Sequence, residues 1–131
     1  AALNSFAGTH SVIVGDAFKA LSELADQGRQ FDIVVIDPPS FAQSKLEIER
    51  ALYSYEKLAI LGARLVKKPG LLVLASCTSR IPAAQFFELT ETTIAQTAPD
   101  YAVLEKTQHD VDHPIGFPEG AYLKCIYFKL D

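Results

Sequence analysis

The sequence contains no methionine, even at position 1, and only two cysteines, Cys77 and Cys125. Two thiols make neither a disulfide framework nor a four-ligand zinc site. With no initiator, either the start was processed or the chain is a piece cut from a longer protein, and the second is the expectation. Long apolar runs are absent too: stretches such as Ile33-Val34-Val35-Ile36 are far too short to span a bilayer. No basic segment precedes a long apolar one, so nothing reads as a signal peptide and a cytoplasmic location is expected. An excess of positive charge is also lacking. Twelve basic residues against 16 acidic ones give −4, which argues against a nucleic-acid clamp working through bulk charge. What remains is ordinary globular usage, 49% apolar and 21% charged, which excludes disorder and collagen-like structure. A length of 131 residues allows one domain, not two with separate cores.

Short apolar runs alternate with helix-period segments. Residues 10–14 read as a strand rich in β-branched side chains, closed by Gly15-Asp16. Ala17, Leu21, Leu24 and Ala25 then form the stripe of an amphipathic helix, with Asp16 as N-cap and Gly28 as its stop. Residues 31–36 form a continuous apolar strand, a pattern that suits a central parallel strand covered on both faces. Asp37-Pro38-Pro39 ends it, because prolines neither donate to a ladder nor extend it. The next stripe runs from Ile48 to Val66, which predicts a long helix with Lys67 and Lys68 in its last turn and Pro69-Gly70 as its stop. Residues 71–75 read as a second fully buried strand. Pro82 opens another helix carrying Phe86, Phe87 and Ile94, which Pro99-Asp100 terminates. Residues 101–106 and 122–130 are both strand-like with no helix between them, the mark of an antiparallel pair. The expected architecture is α/β, a mostly parallel sheet finished by an antiparallel hairpin.

In open α/β sheets ligands bind beyond the carboxyl ends of the strands. Three such ends carry polar residues here: Asp16, Asp37 with its prolines, and Ser76-Cys77-Thr78. The rigid Asp-Pro-Pro turn fixes an acceptor and backbone carbonyls without entropy loss on binding, although the same turn also serves merely to end a strand. Cys77, beside Arg80 and small hydroxyl residues, has the setting of a nucleophilic thiol; its bland alternative is an inert buried cysteine. Asp16 can cap its helix and still accept from a ligand amine. Lys45 is a candidate phosphate contact or a plain surface residue. His10, His109 and His113 lack metal-ligand spacing, so solvent or structural positions are expected and no metal is. Cys125 reads as core. Residues 113–120 form a turn-rich connection that either covers a cleft or simply closes a hairpin.

Gly15-Asp16-Ala17-Phe18, then Asp37-Pro38-Pro39-Ser40-Phe41 after its apolar strand, then Ser76-Cys77-Thr78 resemble class I S-adenosylmethionine-dependent methyltransferases. The tail, Asp112-His113-Pro114 with Pro118-Glu119-Gly120-Ala121-Tyr122-Leu123-Lys124, is similar to the C-terminal signature of the bacterial large-subunit ribosomal RNA cytosine-5 methyltransferase group. The resemblance covers nearly the whole chain, with the motifs in order. It implies a Rossmann-like three-layer sandwich, S-adenosylmethionine as methyl donor, and an RNA substrate, with no membrane partner and oligomerisation left open. Residue by residue it implies that Asp16 meets the adenine amine with Ala17 and Phe18 beside the ring. Asp37 and Pro38 would face the donor, and Pro39, Ser40, Phe41, Lys45 and Arg80 the RNA. Cys77 would be the nucleophile, and Asp37 would bind or protonate the cytosine ring nitrogen.

The glycine-rich turn and the acidic ribose-binding residue of such enzymes have no counterpart among these 131 residues. The resemblance therefore implies the C-terminal part of a catalytic domain, in which residues 10–14 either pair directly with residues 31–36, exchange with a second copy or stay poorly ordered. Direct pairing through a short right-handed crossover is the first expectation. Two other readings stand beside it. One is a methyltransferase acting on an exocyclic nitrogen of a base or on a protein; such enzymes place an aromatic directly after the Pro-Pro pair, where this chain has Ser40. The other is a non-catalytic α/β interaction domain.

Overall fold

A computed structural model describes Leu3, Ser5 and residues 7–131. The elements run α1 (Ala17–Asp26), β1 (Phe31–Ile36), α2 (Ile48–Leu65), β2 (Val66–Ser76), α3 (Ala83–Thr97), β3 (Tyr101–Thr107) and β4 (Lys124–Leu130). Short 3₁₀ turns at Lys45–Glu47 and Pro118–Gly120 interrupt the connections. The four strands form one mixed sheet in the order β1-β2-β4-β3: β1 and β2 are parallel, and β4 is antiparallel to both neighbours. The helix that crosses from β1 to β2 satisfies the need of parallel neighbours for a long connection, whereas β3 and β4 close as a hairpin.

Local chemistry accounts for the helix ends. Asp16 caps α1, its Oδ1 accepting from the Lys19 N–H at 2.9 Å, and Gly28 leaves the helix at φ 68°, a conformation costly for any residue with a Cβ. Pro82 is the N-cap of α3. The core lies between the sheet and α2 and α3. Val34 and Ile36 of β1, Leu72 and Leu74 of β2, and Ile126, Phe128 and Leu130 of β4 alternate inward to meet Ala51, Tyr55, Leu58, Ala59, Phe86 and Ile94. Full burial of a ring such as that of Phe86 contributes roughly 2–3 kcal/mol.

Several expectations need correction. Residues 10–14 form no strand: they are exposed and unpaired, so the direct ladder with β1 is not made. Consequently β1 is an edge strand rather than a central one, and Ile33 and Val35 are 59% and 63% exposed. A continuous apolar run indicates two apolar faces, but it cannot show whether both are covered. Of the three layers implied by the resemblance, the described residues cover only one face of the sheet at β1. Third, α2 stops at Leu65, so Lys67, Lys68, Pro69 and Gly70 belong to the start of β2. There β2 carries extra residues: the register steps from Phe31↔Val66 to Ile33↔Leu71, and the proline is accommodated in the irregularity. Fourth, only Leu72 and Leu74 of residues 71–75 are fully buried, and the half-buried Cys125 lies beside the core rather than within it.

Candidate functional site

Parallel β1 and β2 bring Ile36-Asp37 and Ser76-Cys77 out at the same edge of the sheet. Antiparallel β4 begins there, opposite Ser76, and β3 ends there, Thr107 facing Cys125. The tail of residues 108–123 is thus anchored at the edge where ligands of such sheets bind.

Two loops meet at this edge. The Cys77 Sγ lies 3.8 Å from the Pro38 carbonyl oxygen, and the Phe41 N–H donates to Thr78 Oγ1 at 3.2 Å. Cys77 is half-buried, so it retains a route to solvent. Beneath them sits a closed polar network in an otherwise apolar core. The Thr78 N–H donates to Ser76 Oγ, Ser76 Oγ donates to the Tyr55 hydroxyl at 2.8 Å, and that hydroxyl bonds Thr78 Oγ1 at 2.7 Å. Burial pushes the Tyr55 phenol above its ordinary pKa, so the hydroxyl stays protonated and neutral within this network. Tyr55→Phe leaves two buried hydroxyls short of a partner and should cost about 1–3 kcal/mol. Because Thr78 also holds Phe41, the variant should speed hydrogen exchange at the Phe41 and Thr78 amides more than in β3.

Asp16, Ala17 and Phe18 from the start of α1 face Asp37, Pro38, Pro39 and Phe41 across a cleft of about 550 Å³, floored by Leu21, Leu24 and Leu58. Asp16 is exposed, with one carboxylate oxygen used in capping. Phe41 stands between Phe18 (6.3 Å between ring centres) and Tyr55 (5.1 Å), which continues the aromatic contact from cleft to core. Ser40 and Phe41 also line a second hollow with Gln43, Glu47 and Arg50. Its rim is fixed by Glu47, whose carboxylate accepts from the Gln43 and Ser44 N–H groups; these bonds hold its pKa below the usual carboxylate value. Lys45 and Arg80, 35 residues apart in sequence, line one groove with Ser79, Pro118 and Glu119 of the tail. The sequence-derived site residues therefore fall at one edge, in a cleft, a second hollow, a cysteine turn and a groove.

Besides the Tyr55 network, sequence reasoning left out two features. Lys124 is 1% exposed, and its Nζ donates to the carbonyls of Thr78 and Tyr122. Burial lowers its pKa to about 8. The signal was available, since Lys124 is in phase with Ile126, Phe128 and Leu130, the buried face of β4. The second is a ring cluster in the tail: His109 and His113 stack at 4.3 Å, both edge-on to Tyr122, and His109 Nε2 accepts from the Leu123 N–H. Both histidines thus have a structural position. Among the described residues no cluster of His, Cys, Asp and Glu could hold a metal, and no helix is long and apolar enough to cross a membrane.

No protein-family model matches the chain. It is 36% identical over 117 residues, 88% of its length, to the Ribosomal RNA large subunit methyltransferase I of Shewanella amazonensis. It is 32% identical over 131 residues to the Ribosomal RNA large subunit methyltransferase of Deinococcus radiodurans. These matches cover 30% and 32% of those proteins, so the chain spans about a third of the length of the curated relatives it matches. Among solved structures, one assigned as a methyltransferase and complexed with S-adenosylhomocysteine superimposes with a TM-score of 0.73 at 24% identity, over 89% of this chain and 30% of that one. Another, assigned as an S-adenosylmethionine-dependent methyltransferase from Streptococcus mutans, gives 0.72 at 23% identity, with the same coverage of each chain. The α/β fold is that of S-adenosylmethionine-dependent methyltransferases, matched over part of their length.

Proposed function

We propose that this chain, with a methyltransferase fold and ribosomal RNA methyltransferases as its relatives, is the C-terminal part of a catalytic domain that methylates carbon 5 of a cytosine in RNA. The observation that carries the reading is the contact of the Cys77 turn with the Asp37-Pro38-Pro39 loop, Sγ 3.8 Å from the Pro38 oxygen, beside the Asp16–Phe18 cleft. The cleft suits the donor's adenosine: an apolar floor, an aromatic ring at Phe18 and a free carboxylate oxygen on Asp16 for an exocyclic amine. Bound S-adenosylmethionine would supply an electrophilic methyl group.

Cytosine carbon 5 is a weak nucleophile, which is why a thiol is needed. The Cys77 thiolate would add to carbon 6, forming the S–C6 bond and pushing electron density to carbon 5. Carbon 5 would take the methyl as the donor's S–CH3 bond breaks and its electron pair returns to the sulfonium sulfur. A base then removes the carbon-5 proton, and the electron pair it leaves expels the thiolate and restores the ring. Asp37, exposed at the end of β1, would bind or protonate the ring nitrogen during addition. Pro39, Ser40 and Phe41 would flank the base, and Lys45 and Arg80 in their shared groove would take the RNA phosphates. The test is the product. With the protein carrying this sequence, a labelled methyl group should appear in 5-methylcytidine after digestion of the RNA. Label in an exocyclic-nitrogen product or in protein would overturn the reading.

A further inference from the structure

A buried lysine with no acidic partner is costly to keep charged. Among the described residues no carboxylate pairs with Lys124. The titratable and charged groups around the turn are Arg80 of the turn itself, Tyr55 from α2, Asp37 at the end of β1, His109 and Tyr122 in the tail, and Cys125 next along β4; none forms an ion pair with Lys124. Two of its three N–H groups are taken by carbonyls, one of them that of Thr78, the residue after Cys77. Its place is fixed by register, since Lys124 sits directly opposite Ser76, the residue before Cys77. The group is thus clamped against the cysteine turn from both sides in sequence.

We infer that Lys124 is a positioning residue for the reaction: it ties the tail to the Cys77 turn and supplies the counter-charge for the thiolate. This rests on the reading of Cys77 as the nucleophile. It explains why a cation is retained at the edge of an apolar core, and it assigns the tail a task beyond covering the cleft. The coupling is reciprocal: the Cys77 charge pulls the Lys124 pKa upward, against the larger downward effect of burial.

Two measurements decide it. Alkylation of Cys77 by iodoacetamide, followed by peptide mapping so that Cys125 is read separately, should be about ten-fold slower in Lys124→Met at pH 7. The wild-type advantage should fade as pH rises above about 8, where Lys124 itself loses its proton. In the converse test, Cys77→Ser should lower the midpoint at which Lys124 titrates by NMR, because the anion that favours its ammonium is gone. If Lys124→Met does not fold, Cys77→Ser decides alone. An unchanged alkylation profile in a folded Lys124→Met, or an unchanged Lys124 midpoint in Cys77→Ser, overturns the inference. Cys77 would remain the proposed nucleophile after either result, since its own test is the loss of methyl transfer.

Discussion

Cys77→Ala, made in the protein carrying this sequence, should lower methyl transfer to cytosine by at least about 1,000-fold while cofactor affinity stays nearly unchanged. The two effects separate because of where the sulfur lies. Cys77 is not among the residues lining the Asp16–Pro38 cleft, and among the described residues the sulfur's one polar contact is a weak 3.8 Å approach to the Pro38 oxygen. Its loss therefore removes the covalent step and leaves the donor's surroundings intact. The hydroxyl network below involves Ser76 and Thr78 and not the thiol, so the turn should keep its shape. RNA containing 5-fluorocytosine gives the direct readout, since fluorine at carbon 5 cannot leave as a proton and the adduct should persist. Wild type should show the added mass and Cys77→Ala should not. An adduct forming equally in both would end the case for this nucleophile.

How much of this was legible in the sequence depends on which force acts. Where a local rule decides, the reading holds: the Asp16 cap, the exit of α1 at Gly28, the break at Asp37-Pro38-Pro39, and the hairpin of β3 and β4. It fails where the outcome depends on a neighbour. Residues 10–14 have strand propensity, but a strand exists only if something pairs with it, and nothing in a pattern of β-branched residues supplies a partner. The same dependence misled the reading of β1, whose two apolar faces looked equally buried. At Val66 the helical stripe and the strand pattern overlap, and tertiary pairing with Phe31 settled the boundary. In the site, Asp37 and Cys77 could be placed at one edge because parallel topology puts strand ends together. Asp16 reaches the same cleft as the N-cap of α1, without the strand that the sequence suggests before it. The Tyr55 network could not be placed, since Tyr55 looked like one more apolar position of α2. Lys124 was visible by phase, but a lysine at a strand's first residue ordinarily points to water.

Gly70→Ala should destabilise the fold by about 3 kcal/mol or more, near the upper end of what overpacking does. A Cβ at this position would lie 2.3 Å from the Lys67 carbonyl oxygen, 2.9 Å from that of Asp32 and 2.7 Å from a Val66 methyl. Two of the three are backbone atoms, which cannot swing aside as a side-chain tip can. They belong to the irregularity that brings β2 into register with β1, so relief would mean reopening the pairing between Phe31 and Val66. For a chain of this size the expected fall in Tm is roughly 10 °C. Gly116→Ala is the control, because nothing lies within 4 Å of the added carbon there and its effect should stay within about 0.5 kcal/mol. The irregularity is at the start of β2, the opposite edge of the sheet from Cys77. Below the lowered Tm, Cys77 alkylation should therefore proceed at the wild-type rate. A slower rate at a temperature where Gly70→Ala is still folded would mean that the two edges of the sheet are coupled, and that the register of β1 and β2 helps to set the cysteine turn.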